Sequence, residues 1–90
     1  MKKIEPIVKL LTEIIEDRTV PRNIRAAAEE SKKELTEKTN ENWDLRLSSA
    51  ISVLDEIIND PNMPMHTRTQ IWNVVSMLET VKRSIDDLNP

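Results

Sequence analysis

Two observations on this chain predict an all-α fold. Apolar residues recur at the three-and-four spacing of one helical face in four separate stretches. The chain also repeats itself at an offset of 43 residues, with turn residues at matching places in both halves. The expected architecture is four helices as two repeated αα-hairpins. They would either close as a four-helix bundle or stack as two HEAT-like repeats.

The first helix is predicted from Ile4, Ile7, Val8, Leu11, Ile14 and Ile15, and its pattern stops near Asp17. Thr19 offers a side-chain oxygen for the free amides of a starting helix, and Pro21 suits a first turn, where a missing amide proton costs nothing. A second helix is therefore expected from about residue 20. Its inward face is small: Ile24, Ala27, Ala28, Ser31 and Leu35. Lys38 to Asn42 reads as the linker between halves. The third helix aligns Leu47, Ala50, Ile51, Leu54, Ile57 and Ile58. Asp60, Asn62 and Pro64 then repeat the first turn and start a fourth helix from about residue 63. That helix is the longest, with Ile71, Val74, Leu78, Val81, Ile85 and Leu88 forming a packing seam closed by Asn89-Pro90.

The halves align without a gap from Leu11 on Leu54 to Leu35 on Leu78. Leu11, Glu13, Ile14, Ile15, Asp17, Pro21, Arg25 and Leu35 find identical partners 43 residues on. Chance would supply one or two. A single domain over 1–90 is expected, with an internal repeat of roughly 4–36 and 47–79. About thirty Ile, Leu, Val, Met and Trp side chains are ample for one core without disulfide or metal, and cysteine is absent.

The first half, from Leu10-Leu11 through Asp17, Val20 and Arg25-Ala26-Ala27-Ala28 to Leu35, resembles the HEAT repeat pattern. The second half departs from it, with Thr69 and Gln70 where alanines would stand. The whole chain resembles an archaeal uncharacterised protein family of small helical proteins. Val20-Pro21-Arg22-Asn23-Ile24-Arg25 and the residues from Leu54 through Asn59-Asp60-Pro61-Asn62-Met63-Pro64 to Ile71-Trp72 carry that resemblance. It implies an all-α fold in an archaeal cytoplasm and brings no activity with it.

Composition removes several function classes. Without glycine there is no P-loop, dinucleotide turn or nucleophile elbow. Without Phe or Tyr there are no stacking platforms for bases beyond two Trp. The longest uncharged stretch, Thr69 to Leu78, is too short to span a membrane, so a cytoplasmic protein is expected. The net charge of −3 disfavours general nucleic-acid binding.

The candidate residues fall into three groups. Asp17, Thr19, Pro21, Asp60, Asn62, Pro64, Arg25 and Arg68 read as turn structure, each Asp ordering a turn or facing a helix start while the Arg reaches back. Arg18, Arg22 and Arg25, with Lys32 and Lys33, form the most basic neighbourhood, tempered by Glu29, Glu30 and Glu34. Trp72, Val75 and Met77, together with Leu10 and Val53, add apolar surface beyond the seams. His66, the only histidine, has no ligand-spaced partner, and the carboxylates of Glu13, Glu16, Asp17, Asp86 and Asp87 suggest solvated faces. No catalytic residue, metal or cofactor is expected. The predicted function is a non-enzymatic protein-interaction or scaffold module that self-associates or docks a protein through helices three and four, with no membrane or small-molecule role indicated. A nucleic-acid- or ribosome-associated factor using the helix-two arginines is the alternative.

Overall fold

The computed structural model describes residues 2–37 and 42–88, and side chains up to Ile85. A short 3-10 turn over Lys2–Ile4 leads into α1 (Glu5–Glu16), followed by α2 (Arg22–Thr36), α3 (Trp43–Ile57) and α4 (Met65–Leu88). Of the expected linker only Glu37 before it and Asn42 at its end are described. Asn42 opens α3, its Oδ1 accepting the Leu45 amide at 3.0 Å, a side-chain cap at a position the sequence had suggested as linker.

The periodic faces are the buried ones. Ile4, Ile7, Leu11 and Ile14 from the first stretch meet Ile24, Ala28, Ser31 and Leu35 of α2. Leu47, Ala50 and Leu54 of α3 and Ile71, Val74, Leu78 and Val81 of α4 complete one continuous core. Each helix packs on two neighbours, and α1 closes the ring on α4 rather than stacking on α3. The architecture is therefore a four-helix bundle of 41 × 21 × 20 Å. An open HEAT-like stack would set α1 beside α3. The reason for closure lies in α4: Val74, Val75, Leu78 and Val81 are all buried, a face wide enough for two neighbours, and Met77 and Val81 line a groove with Pro6 and Ile7 of α1.

The most extensive helix pair is α2 with α3, and the least extensive is α1 with α4. Small side chains explain the difference. Ala27 and Ser31 let α2 lie close to α3, where Ala27 shares a cleft with Val53 and Ile57 and the Ser31 hydroxyl donates to the Ala50 carbonyl at 3.2 Å. The matching positions of α4 carry Gln70 and Val74.

Both interhelix turns use the same bonds 43 residues apart. The Asp17 amide donates to the Ile14 carbonyl and the Asp60 amide to that of Ile57; the Val20 and Met63 amides donate to the carbonyls of Asp17 and Asp60, both at 3.2 Å. Asp17 Oδ1 accepts the Thr19 amide at 2.9 Å, and Asp60 Oδ1 the Asn62 amide at 2.8 Å. These are Asx turns, in which a carboxylate imitates a backbone carbonyl.

They also correct the expected caps. α2 begins at Arg22 with Pro21 as its N-cap in extended geometry (ψ 150°), and no side chain caps it. The Pro21 carbonyl accepts the amides of Ile24 and Arg25, as the Pro64 carbonyl accepts those of Thr67 and Arg68. The helices start two residues later than expected because the residue at the proline must stay extended to leave the Asx turn. Thr19 lies too far back to cap, and its hydroxyl donates to Asp17 Oδ1 at 2.6 Å instead. Asn62 enters through its backbone amide alone. Thr19→Ala and Asn62→Ala are therefore expected to lower the thermal midpoint less than Asp17→Ala and Asp60→Ala; the reverse order would restore the capping argument.

Candidate interaction surface

The turn residues assemble at one end of the bundle, because antiparallel neighbours bring both hairpin turns together. There each Asp reaches across to the other hairpin. Asp17 Oδ2 lies 3.0 Å from His66 Nε2, at the start of α4, and Asp60 Oδ2 accepts from Asn23 Nδ2 at 2.8 Å, at the start of α2. Residues 23 and 66 are themselves 43 apart, so the two contacts are reciprocal, as in an isologous interface. Each carboxylate thus neighbours the N-terminus of a helix from the other hairpin, where negative charge is favoured. Arg68 Nη2 reaches back to the Asp60 carbonyl at 3.0 Å.

Hydrogen bonds from the Thr19 hydroxyl, His66 and the Thr19 amide lower the Asp17 pKa to about 2 from 3.8. Because the folded value is depressed, its stabilisation is present above the unfolded value and disappears as pH falls toward the folded one. Asp17→Asn should be less stable than the parent above about pH 4, and the gap should close as pH falls to about 2. Denaturant titrations at several pH values check this; a gap independent of pH over that range would contradict it.

The structure divides the expected apolar group. Val75 is buried in the core, and therefore belongs to no free surface. Leu10 is half-buried and packed against the core, and Met77 lines a shallow groove of about 420 Å³ with Pro6, Ile7 and Val81 between α1 and α4. Val53 lies in a cleft of about 440 Å³ between α2 and α3, beside Asn23, Glu30, Glu56 and Asp60. Met77 cannot share a patch with Trp72, since five residues turn a helix by about 140° beyond a full turn. Trp72 alone remains outside, 57% exposed. Two residues the sequence reading had passed over join it as exposed large hydrophobics, Leu45 (53%) on α3 and Met65 (82%) on α4. Met65 and Trp72 are seven residues apart, two turns up one face; that spacing could have flagged Met65.

The basic neighbourhood is thinner than expected. Arg18 and Arg22 are exposed, but Arg25 and Lys32 are half-buried. Glu13 and Glu16 are exposed, and Asp86 and Asp87 lie outside the described side chains. Among the described residues no three His, Cys, Asp or Glu side chains converge to hold a metal ion, and no helix is long and apolar enough to cross a membrane.

A buried cation, without a periodic signal in the sequence, lies at the opposite end. Arg46 is buried, its Nε donating to the Glu34 carbonyl at 3.1 Å and its Nη2 to that of Leu35, with its guanidinium 3.7 Å from the Trp43 ring centroid. Its cation therefore serves the end of α2 rather than the surface.

The family model described as Uncharacterised protein family (UPF0147) matches residues 1–81. UPF0147 protein MJ1419 of Methanocaldococcus jannaschii is 60% identical over 76 residues, spanning 84% of this chain and 81% of its own length. A UPF0147 protein of Archaeoglobus fulgidus is 50% identical over 80 residues, 89% of this chain and 90% of its own. Two crystal structures share the fold. That of MMP1188, a protein of unknown function, has a TM-score of 0.82 at 54% identity, over 87% of this chain and 88% of that one. That of a UPF0147 protein from Thermoplasma acidophilum has a TM-score of 0.81 at 42% identity, over 88% and 92%.

Proposed function

The chain belongs to the uncharacterised protein family UPF0147, and from that premise we propose that it is a non-enzymatic protein-interaction module acting through the outer face of the α3–α4 hairpin. The observation that carries this reading is Trp72, a large aromatic side chain 57% exposed on a helix whose core seam is complete without it. Leu45, at the start of α3, and Met65, at the start of α4, are exposed as well. Tryptophan is among the residues most enriched where interfaces concentrate their energy, and exposed apolar surface of this kind favours being covered. The cleft beside Val53 supports the non-enzymatic part: Glu30 and Glu56 stand exposed on helix faces, and Asp60 is occupied by the Asn62 amide and the Asn23 side chain in the turn.

Trp72→Ala tests the reading. Half exposed, the side chain should cost the fold under about 1 kcal/mol, while association should weaken by about 2 kcal/mol or more. Denaturation measures the first, and sedimentation or partner capture by the intact chain the second. A variant that loses several kcal/mol of stability while its folded fraction associates as the parent does would make Trp72 packing and remove the reading. A salt-sensitive RNA complex lost on Arg18→Ala and Arg22→Ala would replace it with a nucleic-acid role.

A further inference from the structure

The 43-residue register makes the α2–α3 seam an internal standard for the α1–α4 seam. At the end of the bundle away from the turns, Arg46 closes the first of these, its guanidinium holding the last carbonyls of α2 and lying on Trp43. The residue at the matching place on the other seam is Lys3, in the turn before α1. Lys3 cannot repeat what Arg46 does. α2 ends at Thr36, whereas α4 runs past the matching Glu79 to Leu88. The carbonyls of residues 77 and 78 are therefore spent on amides four residues further along α4. Lys3 is exposed, and among the described residues its ammonium meets no carboxylate or carbonyl.

Beside this cation runs the groove of about 420 Å³ between α1 and α4. Ile7 and Val81 are buried at its floor, Met77 is half-buried, and the Ser76 and Thr80 hydroxyls are exposed at its rim. Across the register, Ser76, Met77 and Thr80 correspond to Lys33, Glu34 and Glu37. The α2–α3 seam thus carries charges of both signs where the α1–α4 groove, among the described residues lining it, holds one cation and no carboxylate. Glu5, the carboxylate closest to Lys3 in sequence, lines the cleft between α1 and α2 with Val8 and Thr36. Glu79 and Arg83, exposed on α4, stand outside the groove's walls. On α4 the groove runs from Ser76 to Val81, ~7.5 Å at 1.5 Å per residue. A partner helix needs anchors at i and i+7, ~10 Å apart, and would overhang it. An extended aliphatic chain of several carbons fits that length.

We propose that this groove binds a small aliphatic carboxylate, with its chain against Ile7, Met77 and Val81 and its charge at the Lys3 ammonium. The inference does not depend on the interaction reading above. Small-molecule sites combine an apolar lining with a few placed polar groups, and the groove's volume falls within their usual range. One ammonium balances the single negative charge of a carboxylate, which a phosphate exceeds. The Ser76 hydroxyl can donate a second hydrogen bond to the same group. The Thr80 hydroxyl already donates to the Ser76 carbonyl at 2.9 Å, so its proton stays in the helix.

The test titrates the full-length chain with octanoate, 1-octanol, octylamine and acetate, and follows the backbone amide signals. Octanoate should give saturable shifts at Ile7, Met77 and Val81; 1-octanol should bind more weakly, and octylamine and acetate not at all. Lys3→Gln should weaken octanoate binding about 5-fold, the worth of one exposed ion pair, while Lys9→Gln leaves it unchanged. Ser76→Trp, which fills the groove from an exposed position, should abolish binding. The dispersion of each variant's spectrum verifies that it is folded. Binding of 1-octanol or octylamine as tight as that of octanoate would overturn the carboxylate. Saturation centred outside the groove, no saturation at all, or an octanoate affinity untouched by Lys3→Gln and Ser76→Trp would overturn the site.

Discussion

Replacing Arg46 with alanine is expected to lower folding stability by about 3 kcal/mol, a large effect for a charged residue in a chain of this size. The last carbonyls of a helix have no partner within it, and at the end of α2 those of Glu34 and Leu35 are met by the Arg46 fork. A cation there also opposes the negative end of the helix dipole. Hydrogen bonds from a charged donor contribute about 1.5–3 kcal/mol, and the guanidinium over Trp43 adds about 0.5–2 kcal/mol. Alanine removes all three and leaves the carbonyls beside a void. Arg46→Lys should recover only part, since an ammonium lacks the planar fork and stacks poorly. Urea denaturation compares these variants with Arg83→Ala, which changes an exposed cation. Equal losses for Arg46→Ala and Arg83→Ala would remove the clamp from the account.

The contrast between Arg46 and the apolar seams shows what a single chain reveals of its own fold. Ile7, Leu11, Ile14, Ile71 and Leu78 were legible because burial on a helix imposes a period that no other residue needs to supply. Asp17 and Asp60 were legible as turn residues because the chain writes them twice. Arg46 was not, because a buried arginine and a solvated one have the same spacing; the carbonyls it meets belong to another helix. The closure of the bundle was open for the same reason, since contacts of α1 with α4 leave no trace in the period of either. Thr19 and Asn62 stand two residues short of the cap position, since the Asx turns and the prolines that follow them place the helix starts at Arg22 and Met65. The apolar group around Trp72 was over-collected. Helical angles already separate Met77 from Trp72, but the burial of Val75 depends on the neighbouring helices and is not written in the period of α4. What the repeat did contain, unread, was the comparison between hairpins: Asn23 with His66 as reciprocal partners of the two Asp residues, and Glu29 with Trp72 as opposite solutions for an outer face.

The same comparison yields the second large effect, at positions 28 and 71. Ile71→Ala is expected to cost about 3–4 kcal/mol, and Ala28→Ile about 2 kcal/mol. Both residues are fully buried and equivalent in register, yet one carries a methyl group and the other a branched four-carbon side chain. Removing the larger one leaves a cavity between rigid helices, which relax only partly, so the loss exceeds the transfer energy of the missing carbons. Adding bulk at Ala28 acts in the opposite sense. Ala28 is fully enclosed in the core, with no exposed surface into which a larger side chain could turn. The isoleucine must either leave its rotamer or push α2 away from its neighbours. Denaturation measures both losses. If Ala28→Ile were neutral or stabilising, the core around Ala28 would not be closely packed, and the small face of α2 would need another cause.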